Sequence, residues 1–205
     1  MTRPHRRDTP AYWNHNTAYH PWLARIAAEH RGDVLDVGCG DGLLAARLAP
    51  LSRSVTGVDC DAAAVERARA RVRQIPNVTV TQGTFGEDSD GDARYDLIAF
   101  VATIHHMDLR AALGRARDLL RPGGEIAIVG LAANRSPVDW MWSGLCLPAV
   151  RIGSLWHRET RDIGVAVATP QHSLADIRRI ADEVIPGAHM RRALYYRYLL
   201  RWRRP

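Results

Sequence analysis

Asp36 and three glycines at alternate positions, Gly38, Gly40 and Gly42, are the residues of this 205-residue chain whose types and spacing first imply chemistry. They follow the strand-like run Val34-Leu35-Asp36-Val37, and an amphipathic segment begins at Leu43. A strand that stops in glycines and turns at once into a helix lets a ligand approach the backbone and meet the positive helix N-terminus. That implies a nucleotide-like ligand. A dinucleotide site would have Gly-x-Gly-x-x-Gly, its third glycine one place beyond Gly42. Here the pattern is Gly-x-Gly-x-Gly, with a carboxylate ahead of it. Roughly 20 residues later Asp59 ends a second apolar run, the position from which a carboxylate can accept from both hydroxyls of a ribose. Hydrogen bonds to a charged group contribute on the order of 1.5–3 kcal/mol each. Proton transfer near neutral pH calls for histidine. His105 and His106 follow the apolar run Tyr95–Val101, and His15 and His20 lie in the N-terminal segment.

The elements that must position these residues alternate. Pro10 to Ala18 reads as a short helix, and Pro21 starts a second that runs to His30. Strands are expected at Val34–Val37, Ser54–Val58, Val78–Thr81, Tyr95–Val101 and Glu125–Leu131. Helices are expected at about Leu43–Ala49, Ala62–Val72 with Asp61 as N-cap, and Leu109–Leu120. Gly86 to Arg94 is a polar turn region, and Arg121-Pro122-Gly123-Gly124 a turn before the fifth strand. Strands alternating with helices imply right-handed crossovers and a mostly parallel sheet. Residues 132 to about 172 break the alternation with Trp140, Trp142 and Trp156 among glycines and prolines, as an inserted cap would. Ser173-Leu174-Ala175-Asp176 is a capping-box-like start for a helix over 174–184. His189–Leu194 and Tyr196–Trp202 read as two strands. In the second, Tyr196, Tyr198, Leu200 and Trp202 share one face. The organisation is a tail and helical lid over 1–32, then a single domain over 33–205 carrying the cap.

Hydrophobic content of 46% and charge of 24% are those of a globular domain. Three cysteines at no metal-ligand spacing indicate neither a disulfide framework nor a zinc site, and fit a reducing cytoplasm. No apolar run follows the basic start and none is long enough to span a membrane. The net charge of +6 rests wholly on arginine, because the chain has no lysine. Dispersed arginines beside abundant alanine read as the bias of a GC-rich genome and a solvated surface, so nucleic acid is not the expected partner.

Asp36 ahead of Gly38-Cys39-Gly40-Asp41-Gly42, with Tyr95-Asp96-Leu97-Ile98, Ile104-His105-His106-Met107 and Leu120-Arg121-Pro122-Gly123-Gly124, resembles the class I S-adenosylmethionine-dependent methyltransferases, over about Val34 to Leu131. The resemblance implies an α/β, Rossmann-like doubly wound sheet of seven mostly parallel strands, closed by an antiparallel C-terminal hairpin. It implies S-adenosyl-L-methionine as cofactor and no metal. Asp36 would sit near the methionine ammonium, Gly38, Cys39, Gly40 and Gly42 would form the loop beneath the cofactor, and Asp59 would bind the ribose. The backbone around Val101 would receive the methionine end. Where relatives often place an aspartate for the adenine amino group this chain has Thr84, which leaves adenine to backbone near Phe85 and to the apolar edges of Cys60 and Phe85.

Transfer of a methyl from a sulfonium is an in-line displacement that needs a dry pocket and aligned reactants. His105, His106 and His20 are the candidate bases, His105 first. Tyr12, Trp13, Tyr19, Trp140 and Trp142 are candidate walls of an acceptor pocket. The expected function is methylation of a small aromatic or lipophilic acceptor, at oxygen before nitrogen or carbon, by a monomer or homodimer. Methylation of RNA or protein is the alternative enzyme reading, although Phe100 to Met107 lacks an Asn/Asp-Pro-Pro-Tyr run. A non-catalytic cofactor sensor or partner subunit is the alternative of another class.

Overall fold

The computed structural model describes residues 12–86, 94–133, 135, 141 and 170–205. Five strands lie parallel: β1 (Asp33–Val37), β2 (Ser54–Asp59), β3 (Val78–Gln82), β4 (Tyr95–Val101) and β5 (Leu120–Leu131). The hairpin β6 (His189–Arg192) and β7 (Arg197–Arg203) adds β7 antiparallel to β5, giving the order β3-β2-β1-β4-β5-β7-β6. This is the mostly parallel sheet that the alternation predicts, doubly wound and closed by an antiparallel hairpin as the resemblance implies.

The strands bury both faces, so alternate residues enter different cores. Leu35, Val37, Ile98, Phe100, Ile126 and Ile128 meet α4 (Leu109–Leu119) and α5 (Leu174–Val184) on one face. Val34, Leu97, Ala99, Ala127 and Val129 meet α1 (His20–His30) and α2 (Leu43–Leu48) on the other. Cys39 packs with Val65, Ala68 and Val72 of α3 (Ala62–Val72) and with Val80 of β3. β7 serves both cores: Tyr198, Leu200 and Trp202 enter the first and Leu199 the second.

Caps read in the sequence set the helix starts. Asp61 accepts from Ala63 N at 2.9 Å; Asp108, which the sequence reading did not single out, caps α4 by accepting from Ala111 N at 2.8 Å. Ser173 and Asp176 form the full capping box of α5. Pro21 sits in the first turn of α1, and Arg31 at φ 52° ends that helix.

Three local expectations are corrected. Residues 12–16 form no helix; a 3-10 turn, Thr17–Tyr19, leads straight into α1. Asn14 competes with the helical ladder there, its Oδ1 accepting from Asn16 N at 3.0 Å and Thr17 N at 2.9 Å. Leu120 to Gly124 is not a turn before β5 but its first part, with Leu120 opposite Tyr95 and an irregular register before Leu97. Arg121 fixes it by donating to Asp96 Oδ2 at 2.6 Å and Asp33 Oδ2 at 2.8 Å, which ties the amino ends of β1, β4 and β5 together. Ala193, Leu194 and Tyr196 belong with Tyr195 to the β6–β7 turn and not to strands; Tyr195 and Tyr196 take φ 57° and 58°.

The arginine-rich C-terminus is bonded into the fold. Arg201 donates to Glu29 and Glu125, Arg203 to the Gly123 carbonyl, and Arg204 to the Arg117 carbonyl. Among the described residues no helix is long and apolar enough to cross a membrane. The tail, most of the polar turn after Gly86, and the cap with Trp140 and Trp142 lie outside the described residues.

Candidate active site

β1 and β4 are neighbours whose connections leave in opposite directions, one towards β2 and one towards β5. Ligands of open α/β sheets bind at the carboxyl ends of such a strand pair. The loop after β1 is built for close approach. Gly38, Gly40 and Gly42 all take positive φ, at 69°, 56° and 75°. A Cβ on Gly38 would lie 2.1 Å from Thr103 Oγ1, so the loops after β1 and β4 touch there. Gly40 N donates to Asp59 Oδ2 at 2.8 Å, and Asp61 N donates to Asp59 Oδ1 at 3.0 Å. Asp59 thus sets the glycine turn, while each oxygen keeps a further lone pair.

Asp36 lies beneath that turn, 1% exposed, and its Oδ2 has no hydrogen-bond partner among the described residues. Burial, then the charges of Asp59 and Asp41, raise its carboxyl to about 7 against a backbone hydrogen bond at Ala45. Cys39 turns its sulfur into the α3 core, where burial pushes the thiol well above its usual range; only its backbone belongs to the loop.

The N-terminal segment crosses this end of the sheet. At one side the Tyr12 hydroxyl donates to Asp41 Oδ1 at 3.1 Å, and Arg71 of α3 donates to Asp41 Oδ2 at 2.6 Å and to the Asp41 carbonyl at 2.9 Å. At the other side His15 stacks on Tyr195 at 4.6 Å, Trp13 meets Tyr195 edge-on at 5.6 Å, and the Tyr19 hydroxyl donates to the Leu194 carbonyl at 2.6 Å. Arg197 clamps Asn16 Oδ1 at 2.7 and 3.0 Å. Residues 12–19 therefore run from the glycine loop to the β6–β7 turn.

His20 is 5% exposed, and its Nδ1 lies 3.0 Å from Arg47 Nη1. Arginine offers only donors, so Nδ1 accepts and the ring is neutral. Burial and the Arg47 charge lower its pKa to about 3. His20 is a fixed acceptor for Arg47, with that lone pair already engaged.

Beyond Val101, Ala102 takes φ 53°, rare for a residue with a Cβ, and its N–H donates to the Val129 carbonyl at 2.8 Å. A 3-10 turn, Ile104–His106, follows; the His105 and His106 rings lie 4.2 Å apart, tilted by 41°. His105 is half-buried and His106 exposed. Cys60, directly after β2, and Thr84, after β3, are exposed, whereas Phe85 packs edge-on against Phe100 at 5.4 Å, 8% exposed.

A methyltransferase-domain family model matches residues 34–124. An uncharacterized methyltransferase of Mycobacterium tuberculosis (strain ATCC 25618 / H37Rv) is 34% identical over 198 residues, 94% of this chain and 98% of its own length. The chain belongs to the class I S-adenosylmethionine-dependent methyltransferases. A ubiquinone biosynthesis O-methyltransferase of Erwinia tasmaniensis is 33% identical over 124 residues, 58% of this chain and 50% of that protein. The fold is also that of the N-methyltransferase NodS from Bradyrhizobium japonicum WM9, solved with S-adenosyl-L-homocysteine (TM-score 0.60, 20% identity, 92% of this chain and 87% of that one).

The residues of this methyltransferase fit its cofactor. S-adenosylmethionine carries a positive ammonium and a positive sulfonium, and the orphaned Asp36 oxygen with Asp59 and Asp41 around it is an acidic setting. A pyrophosphate would meet repulsion in the same place. The sequence reading missed Asp41, Arg71, Arg47, Ala102 and Tyr195. Asp41 was available as the residue between the last two glycines. Its partner Arg71 lies 30 residues away and no local pattern joins the two.

Proposed function

We propose that this methyltransferase acts on a small aromatic or lipophilic acceptor, at oxygen in preference to nitrogen or carbon. The observation that carries this reading is the aromatic segment 12–19, pinned at Asp41 on one side and Tyr195 on the other. Rings at the end of a sheet suit a flat, apolar acceptor and keep water from the reaction. The Erwinia tasmaniensis relative, named for an O-methyltransferase of ubiquinone biosynthesis, supports oxygen as the acceptor atom.

When bound, the cofactor supplies an electrophilic methyl group on a sulfonium. Asp36 pairs with its ammonium, and the backbone of Gly38, Cys39, Gly40 and Gly42 lies against it. Asp59 accepts from the ribose hydroxyls with the lone pairs that Gly40 and Asp61 leave. Thr84, the backbone at Phe85 and the edge of Cys60 border the adenine, and Val101 with Ala102 the methionine end. Tyr12, Trp13 and Tyr19 close the acceptor side. His105, ahead of His106, would take the proton of the acceptor hydroxyl while the surrounding rings hold that acceptor in place. His20 holds Arg47 and so positions α1 on α2. The acidic surround favours the charged donor over the neutral thioether product, which aids release.

The test is a panel of phenols, catechols, amines and carboxylic acids with methyl-labelled cofactor. Labelled aryl methyl ethers are the predicted product; label confined to amines or carboxylates would refute the oxygen-aryl reading.

A further inference from the structure

Tyr198 of β7 is 2% exposed and pairs across the ladder with Gly130, the penultimate residue of β5. A Cβ on Gly130 would lie 2.3 Å from Cζ and 2.4 Å from both Cε1 and the hydroxyl oxygen of Tyr198. Glycine alone lets the ring cross from β7 onto β5. The hydroxyl therefore sits over the carboxyl end of β5, one position past the Val101–Val129 pair and so level with the strained Ala102. Ile104, the first residue of the turn carrying His105 and His106, belongs to the same buried cluster as Tyr198, and that turn packs on β5. Just beyond, the chain leaves β5 and returns before α5. The two limbs are joined by Ala133 N to the His172 carbonyl at 2.8 Å and by Arg135 Nη2 to the Gln171 carbonyl at 2.6 Å.

Burial is the whole cause of the upward shift of the Tyr198 phenol; no charge or hydrogen bond among the described residues acts on it. Phenylalanine would fill the same space against Gly130, so packing alone does not call for the hydroxyl. The hydroxyl is left to donate to a group outside the described residues. A phenol held above its usual range stays protonated at neutral pH, so it can donate and is no base.

We infer that Tyr198 is an acceptor-binding residue whose hydroxyl donates a hydrogen bond to a phenolic acceptor, at an oxygen beside the one methylated, on the β4–β5 side of the site where His105 stands. This rests on the oxygen-acceptor reading. It explains why an O-methyltransferase site would bury a tyrosine under a glycine: the donor is placed by two strands and needs no reorganisation when the acceptor arrives.

Tyr198→Phe tests it, with catechol as probe. Catechol binding to the complex with S-adenosylhomocysteine is measured by calorimetry, and turnover with labelled S-adenosylmethionine. The expected result is a KM and Kd for catechol raised about tenfold, the effect of roughly one hydrogen bond. kcat should change less, S-adenosylhomocysteine affinity should be unchanged, and Tm equal or higher. If catechol is methylated and its KM and Kd do not move, the inference fails and the oxygen-acceptor reading stands. A fall in Tm together with lost cofactor affinity would make Tyr198 a purely structural residue, which also overturns it. If the wild-type protein neither binds nor methylates catechol, phenol or hydroxybenzoates, inference and reading fail together.

Discussion

The Tyr12 hydroxyl donates to Asp41 Oδ1 at 3.1 Å, joining the N-terminal segment to the glycine loop across 29 residues. Asp41 is held from the other side by Arg71, with side-chain exposures of 14% and 9%, so the contact is an anchored one. Burial, then the Asp41 charge, push the Tyr12 phenol above its usual range, which keeps the proton on the donor. Tyr12→Phe should let S-adenosylhomocysteine dissociate about five- to tenfold faster while moving Tm by less than about 2 °C, because one partly buried bond to a carboxylate is lost. Stopped-flow displacement reads the rate. An unchanged rate would mean that this segment does not cover the cofactor.

Asp59 and Asp61 stand two residues apart and serve different ends. Asp59 holds Gly40 and faces the ligand, whereas Asp61 caps α3. Asp59→Ala should weaken cofactor binding at least about 30-fold, through lost ribose bonds and a loosened turn. Asp61→Ala should lower stability by about 1 kcal/mol and leave cofactor affinity within about threefold. Calorimetry and urea unfolding on the two variants check the contrast.

Cofactor affinity should depend on pH through Asp36, whose carboxyl is raised to about 7 chiefly by burial. Below that value it is protonated and must lose a proton to pair with an ammonium. Affinity for S-adenosylhomocysteine should therefore rise from pH 5.5 to about 7.5 and then level, with proton release on binding that is largest near pH 6. Asp36→Asn should flatten the profile. Titration in buffers of different ionisation enthalpy measures the released protons.

Stability should fall in acid through His20. Its folded pKa, about 3, lies below the unfolded value of 6.5, so the unfolded chain gains a proton first. The stabilisation is complete above about pH 6.5 and is lost progressively as pH falls towards 3, by on the order of a few kcal/mol. His20→Asn keeps an acceptor for Arg47 and should remove that part of the loss. Denaturant unfolding between pH 4 and 7 on both proteins gives the difference.

Much of this was legible in the sequence because it is local. Helices α3 and α5 begin at residues whose side chains cap them, and β4 is apolar throughout except for Asp96, so their bounds follow from short-range rules. The glycine spacing with Asp36 marked the cofactor loop, since positive φ and close approach are requirements of single residues. What stayed hidden was set by distance in the chain. Nothing near Tyr12 announces Asp41, nothing near Gly130 announces Tyr198, and His20 reads as a base until Arg47 is beside it. The 121–124 segment reads as a turn from its Pro-Gly-Gly. Arg121, bridging Asp33 and Asp96 at the amino ends of the sheet, makes it part of β5.

The most direct test of a small aromatic acceptor is transfer of labelled methyl from S-adenosylmethionine into a fractionated lysate of the source cell, with Asp59→Ala as control. The account predicts label in organic-extractable small molecules, base-stable as an aryl ether is, and little with the variant. Label in RNA or protein, or tight cofactor binding with no label transferred anywhere, would contradict it.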